Sequence, residues 1–155
     1  MASTLGYRRV LVPIADNPES EKAMDAACRI AADRSGVITA VAVVEVPATL
    51  PLDAYMTEEE SDADQLLGRA RAIADSYGVG VSLRRVRARE ATSGILEQAA
   101  VTGCEIVVLG ARLRQRPTRG LIFGGTVEHV LKRAPCRVML IGAPPIAVYA
   151  INAAA

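Results

Sequence analysis

The sequence predicts an α/β domain built on a doubly wound, five-stranded parallel sheet in the order 3-2-1-4-5, with helices on both faces. Three observations predict it. Two all-apolar runs, at 106–109 and 138–141, are too short for helices and read as buried parallel strands. Helix-period segments alternate with strand-like runs in the order β-α-β-α-β-α-β-α-β, and right-handed crossovers turn that order into a sheet covered on both sides. Finally, 155 residues at 51% apolar composition supply one core, with no room for a second of similar size.

The elements follow in order. Residues 8–14 (RRVLVPI) form the first strand, ended near Pro13. Asp16-Asn17-Pro18-Glu19-Ser20 is a turn with capping residues. A helix follows over 20–35, with Ala23, Met24, Ala27, Ile30 and Ala31 at helical spacing, and Gly36 is its expected stop. Residues 37–46 are rich in β-branched side chains and alternate little, as a fully buried strand does. Two prolines mark 47–56 as a loop. The acidic run Glu58-Glu59-Glu60-Ser61-Asp62 opens a helix over 57–77, acid at a helix start complementing the macrodipole. Leu66, Leu67, Ala70, Ile73 and Ala74 face inward, and Gly78 closes the helix. The stretch 81–87 (VSLRRVR) alternates apolar with polar, as an edge or half-covered strand does, leaving Arg84, Arg85, Arg87 and Arg89 as its exposed face and exit. Ala91-Thr92-Ser93 caps a helix over 94–102, stopped by Gly103. A strand at 106–110, a long polar loop, a helix over 126–133 and a strand at 137–141 complete the sheet. Residues 1–143 read as one domain and 144–155 as a C-terminal tail. In that tail 146–151 (IAVYAI) forms either an extra edge strand or a lead into a larger protein.

Composition removes several classes of function. A formal net charge of +1 gives no global attraction to nucleic acid or membrane, and the arginines at 84–89 lack the interleaved aromatics of a nucleic-acid platform. No apolar run reaches the roughly 18 residues of a spanning helix, and 1–9 lacks the apolar core of a signal peptide. The expected setting is cytoplasmic, with no direct membrane insertion. Cys28, Cys104 and Cys136 are odd in number and far apart in sequence, so they read as reduced, mostly buried thiols. With His129 the only histidine, a zinc site is not expected, and no metal ligands are assigned.

In a doubly wound sheet, ligands sit at the carboxyl ends of the strands where strand order reverses. Here that point lies between the first and fourth strands. Pro13-Ile14-Ala15-Asp16 and Leu109-Gly110-Ala111-Arg112 converge on it, and Gly124-Gly125-Thr126-Val127 closes it from the start of the last helix. An aspartate just past a strand end accepts hydrogen bonds from ribose hydroxyls. It equally caps a helix or makes an Asx-turn, and Asp16 fits both descriptions. The Gly124-Gly125-Thr126 turn can hold phosphate through backbone N–H groups and the threonine hydroxyl, or it is a plain helix start leading into Val127-Glu128-His129. It is neither a G-x-x-x-x-G-K-[ST] loop nor a G-x-G-x-x-G fingerprint, which disfavours a P-loop hydrolase and a dinucleotide dehydrogenase. The loop at 111–123 carries Arg112, Arg114, Arg116 and Arg119, whose guanidinium groups match phosphate oxygens. At least two of them face water, since alternate residues of an extended loop point apart. His129 reads as a surface or interface residue, and Cys104 and Cys136 as core.

The opening VLVPIADNPESEKAMDAA, the strand at 39–46, EIVVLG before the loop and FGGTVEHVLKRAPCRVMLI at the end together resemble the universal stress protein family over 8–141. The resemblance implies a Rossmann-like fold of the adenine-nucleotide-binding type, often dimeric through the last strand. One branch of the family binds ATP with the pattern Gly-x-x-Gly, a spacer, then Gly-Ser or Gly-Thr, and an aspartate after the first strand. Carried across, Asp16 matches the ribose-binding acid, Ile14 and Val43 the adenine-pocket positions, Gly110 the first glycine, and Gly125-Thr126 the final pair. Leu113 stands where the second glycine belongs, and the stretch to Gly125 is longer and arginine-rich. A β-carbon at that point blocks the close backbone cradle around phosphate. The ending is also similar to stress-protein domains appended to the cytosolic ends of amino-acid and cation transporters.

The resemblance therefore implies a cytoplasmic, homodimeric sensor or regulatory domain holding ATP or another adenine nucleotide (AMP, ADP or a cyclic nucleotide), with or without Mg²⁺. Its partners would be a second copy through the last strand and a membrane transporter or regulatory protein, not nucleic acid. Hydrolysis would be slow at most, since no general base is positioned for water. The alternative is a non-nucleotide-binding interaction module, such as the cytosolic domain of a transporter, holding partners through its dimer and arginine loop. A ligase of the broader fold would need a Ser-Gly-Gly loop after the first strand, which Ile14-Ala15-Asp16-Asn17 does not supply.

Overall fold

Leu11 and Val12 are neighbours in sequence and both fully buried, because successive side chains of a strand point to opposite faces and this strand is covered on both. The same holds for Val107 and Val108. These two strands are the centre of the sheet. The computed structural model describes residues 7–112, 114–116, 120–122 and 125–142, with the side chains at 114–116 and 120–122 excluded. Leu113, Arg119, Gly124 and the tail at 144–155 lie outside the described residues, as do the side chains of Arg114 and Arg116.

The order is β1 (Arg9–Pro13), α1 (Pro18–Ala32), β2 (Val37–Glu45), α2 (Thr57–Tyr77), β3 (Gly80–Ala88), α3 (Ala91–Thr102), β4 (Ile106–Ala111), β5 (Arg114–Arg116), β6 (Gly120–Ile122), α4 (Gly125–Arg133) and β7 (Arg137–Gly142). The main sheet runs β3-β2-β1-β4-β7 with every neighbouring pair parallel. This is the expected 3-2-1-4-5 order, with β7 as fifth strand. From β1 to β3 the chain moves one way across the sheet, and from β3 through β4 to β7 it moves the other way. Right-handed crossovers therefore put α1 and α2 on one face and α3 and α4 on the other. The two cores agree. Val10, Val12, Ile38, Ala40 and Val108 pack with Met24, Ala27 and Leu67, whereas Leu11, Val41, Val107 and Leu109 pack with Ile95, Ala99 and Val130.

Several local expectations are corrected. The stretch 111–123 holds an antiparallel pair, β5 with β6, in which Gln115 lies opposite Leu121. Three-residue strands are too short for alternation to show. Helix α1 begins at Pro18 rather than Ser20, because the Asn17 side chain caps it by accepting from the Ser20 N–H at 2.8 Å. It ends at Ala32, and Gly36 is not its cap: a β-carbon there would lie 2.4 Å from the Tyr7 carbonyl oxygen, where the chain passes the start of β1. Ala91-Thr92-Ser93 is the first turn of α3, not its cap.

The β3 arginines are ion-paired and hydrogen-bonded rather than a merely solvated face. Arg85 pairs with Glu60 at 2.8 Å and Asp64 at 2.7 Å, and Arg87 pairs with Glu60. Arg87 also donates to the carbonyls of Leu52 and Ala54, and Arg89 to those of Pro47 at 2.6 Å and Leu50 at 2.7 Å. Together they fasten the β2–α2 loop to the sheet edge. Cys104 and Cys136, distant in sequence, place their Sγ atoms 3.6 Å apart, and Cys136 is only half-buried. Among the described residues, no helix is long and apolar enough to cross a membrane.

Candidate functional site

Strand order reverses between β1 and β4, so the connections leaving their carboxyl ends diverge to opposite faces and open a crevice. The β1 exit is tightly fixed. The Ile14 N–H donates to the Val41 carbonyl at 2.7 Å and the Ala15 N–H to Ser20 Oγ at 2.9 Å. Asp16 is thereby left pointing outward, its side chain 87% exposed and 3.9 Å from Arg69 Nη2. Asn17, not Asp16, caps α1, so the capping role considered for Asp16 is not the one it has.

A cavity of about 720 Å³ occupies this edge. Pro13, Ile14, Ala15 and Asp16 wall it from β1, Val43 from β2, Leu109, Gly110 and Arg112 from β4, and Gly125, Thr126 and Val127 from α4. Of the expected residues that are described, one is not in that wall. Ala111 is 1% exposed and belongs to the core beneath α3 and α4. Gly124 lies outside the described residues. His129 is exposed on α4 and does not line the cavity.

The two glycines differ in what demands them. A β-carbon on Gly110 would lie 2.6 Å from the carbonyl carbon and oxygen of Glu19 and 2.8 Å from the Ser20 nitrogen. Close approach of α1 to β4 therefore accounts for a glycine at 110 without any ligand, although Gly110 also lines the cavity. A β-carbon on Gly125 would meet nothing within 4 Å among the described residues. Their packing does not require a glycine there, at the amino end of a helix that faces the cavity.

Arg112 lines the cavity with two of its three guanidinium nitrogens turned to Glu19. Its Nε lies 3.3 Å from Glu19 Oε1 and its Nη2 3.5 Å from Oε2. Glu19 is buried, and hydrogen bonding to its own backbone N–H, reinforced by Arg112 and Lys22, holds its carboxyl below the usual range against the opposing effect of burial.

Three carboxylates in the cavity wall, Glu45, Glu59 and Asp62, were not singled out by sequence reasoning. Glu45, at the end of β2, accepts from the Ala91 N–H at the start of α3 at 3.4 Å. Glu59 and Asp62 belong to the first turns of α2. The signal was available: crossover helices in a parallel sheet begin at the carboxyl edge of the strands, so an acidic helix start must lie beside the ligand crevice.

A family model described as the universal stress protein family matches residues 6–142. Among solved structures, a universal stress protein from Archaeoglobus fulgidus matches with TM-score 0.72 and 20% identity, covering 87% of this chain and 98% of its own. A member of that family from Burkholderia pseudomallei matches with TM-score 0.65 and 26% identity, covering 92% and 100%. Three further matches were solved as nucleotide complexes: an A. fulgidus universal stress protein with dAMP (TM-score 0.69, 17% identity, covering 87% and 98%), one with cAMP (0.66, 16%, 90% and 99%) and one from Arabidopsis thaliana with AMP (0.62, 17%, 90% and 94%). No curated protein matches the sequence.

Proposed function

The chain belongs to the universal stress protein family, and from that premise we propose that it binds an adenine nucleotide in the β1–β4 crevice and acts as a cytoplasmic sensor or regulatory domain. The observation that carries this reading is Gly125, a glycine that the packing of the described residues does not require, at the amino end of α4 in a cavity of about 720 Å³. That volume is within the range of small-molecule sites. Backbone N–H groups at a helix start suit a phosphate, and Thr126 adds a hydroxyl beside them. Ile14 and Val43 offer the apolar surface for a base, and Asp16 is exposed at the rim for ribose hydroxyls. Relatives solved with AMP, dAMP and cAMP support the same ligand class.

Occupancy would be read out through a partner. Among the described residues β7 is an edge strand whose Val138, Met139, Leu140 and Ile141 are only half-buried, and an edge of this kind favours pairing with a second copy. A homodimer through β7, working with a membrane transporter or other regulatory protein, is the assembly proposed.

Isothermal titration of the purified protein with AMP, ADP, ATP and cAMP at millimolar concentration, with and without Mg²⁺, tests the binding reading. Saturable heat is expected for at least one of them. Heat of dilution alone for all four would overturn it and leave the interaction module without a nucleotide. Mass analysis of small molecules released on denaturing freshly purified protein would identify a carried ligand directly.

A further inference from the structure

Resting on the nucleotide reading above, we propose that the cavity selects adenine nucleotides of low charge, a monophosphate or cyclic monophosphate, over the triphosphate, with Glu19 a specificity-determining residue because it engages Arg112. Asp16, Glu45, Glu59 and Asp62 line the cavity, and Arg112 is the one basic side chain doing so among the described residues. That guanidinium is engaged on two nitrogens by Glu19. Glu59 and Asp62 have no ion-pair partner among the described residues. Among the described side chains the lining is therefore net negative.

Distance does not rescue a long phosphate chain. A cavity of about 720 Å³ is on the order of 11 Å across, close to one Debye length at about 0.1 M salt, so each lining charge acts on the whole ligand. A single phosphate beside Gly125 and Thr126 is served by backbone N–H groups and the helix start. Each further phosphate adds negative charge in a lining where Glu19 already engages the one described guanidinium, and repulsion grows with every added charge. A divalent cation carried by the triphosphate would offset this. Glu19 holds its place through α1, whose backbone lies against Gly110.

Titrations of AMP, cAMP and ATP in EDTA at low salt decide the matter. AMP and cAMP are expected to bind at least tenfold more tightly than ATP. The gap should shrink on adding Mg²⁺ or raising ionic strength to about 0.5 M, where the charges are screened. Glu19→Gln, which keeps the side chain's shape but frees Arg112, should narrow the AMP-to-ATP ratio three- to tenfold. Glu59→Gln with Asp62→Asn changes only exposed side chains and should narrow it as well, so the test survives a Glu19 variant that fails to fold. ATP binding as tightly as AMP in EDTA would overturn the proposal, and ATP binding more tightly would assign the phosphate chain to the arginines at 114–119. An unchanged ratio in folded Glu19→Gln would remove Glu19 from specificity even where the rim variant responds. If no adenine nucleotide binds at all, the parent reading falls, an outcome distinct from these.

Discussion

Gly110 and the backbone of Glu19 are in such close approach that a β-carbon on the glycine would sit 2.6 Å from the glutamate's carbonyl oxygen. The obstacle is backbone at the start of α1, which cannot swing aside as a side-chain tip can. Gly110→Ala is therefore expected to force α1 away from β4 and to destabilise the fold by about 1–3 kcal/mol, the range for overpacking a filled site. Urea unfolding measures it, and a loss under about 0.5 kcal/mol would show that the helix shifts freely.

Gly125 predicts the opposite pattern. With open space where its β-carbon would lie, Gly125→Ala should leave unfolding free energy within about 0.5 kcal/mol of the parent. Gly125→Leu should also fold but weaken adenine-nucleotide binding at least tenfold, about 1.4 kcal/mol. A leucine variant with unchanged affinity would take the start of α4 out of the binding site.

These glycines show what the sequence could and could not disclose. The central strands were legible because the run at 106–109 is apolar on both faces. The order 3-2-1-4-5 is one of the common doubly wound orders for this alternation of elements, with handedness then fixing which face each helix covers. Pro13 through Asp16 and Gly125 through Val127 were legible as a convergence because the switch point fixes which strand ends meet. The burial of Ala111 in the core was not legible, since Leu109 on the same face lines the cavity and no pattern separates the two. The contact of Arg112 with Glu19 was not legible because the two are distant in sequence. The short strands β5 and β6 left no periodicity to read.

Arg89 donates to the carbonyls of Pro47 and Leu50 and, at 3.3 Å, to that of Val46. A single guanidinium thus organises the first part of the β2–α2 loop. Arg89→Ala leaves those carbonyls to water and should cost about 1–2 kcal/mol locally, with little change in global unfolding. Hydrogen exchange should locate the effect: the Leu50 and Ala54 amides, bonded to the Pro47 and Pro51 carbonyls, should exchange at least fivefold faster. Unchanged protection there would mean that the loop holds itself.

The thiols should divide by reactivity. Burial, aided by Asp25, pushes Cys28 up to about 11, and burial with the hydrogen bond to Cys136 pushes Cys104 up to about 12. The thiolate is the reactive species, so neither should alkylate in the native protein at pH 8. Iodoacetamide is expected to label Cys136, the half-buried one, and all three cysteines only after denaturation. Native labelling at Cys104 would show that the α3–β4 corner opens.

Glu105 supplies a test of acid stability whose sign follows from geometry. Its Oε1 accepts from the Arg8 N–H at 2.8 Å and the Arg9 N–H at 3.0 Å, anchoring the start of β1 beside β4. Those two bonds, with the charges of Arg9 and Arg8, hold its carboxyl below the ordinary value in the folded state. A depressed folded value means the unfolded chain takes up the proton first. The contribution is therefore complete above the unfolded value near 4.3 and is lost as pH falls through the folded one. Glu105→Gln still offers an acceptor to both amides but carries no charge to titrate. The parent should be more stable than the variant at pH 7, and the two should converge as pH drops below about 4. Both should keep some acid sensitivity, since Glu19 is depressed in the same direction. Parallel stability curves over pH 7 to 3, with no convergence, would show that the Glu105 charge contributes nothing and that the two amides need only an oxygen.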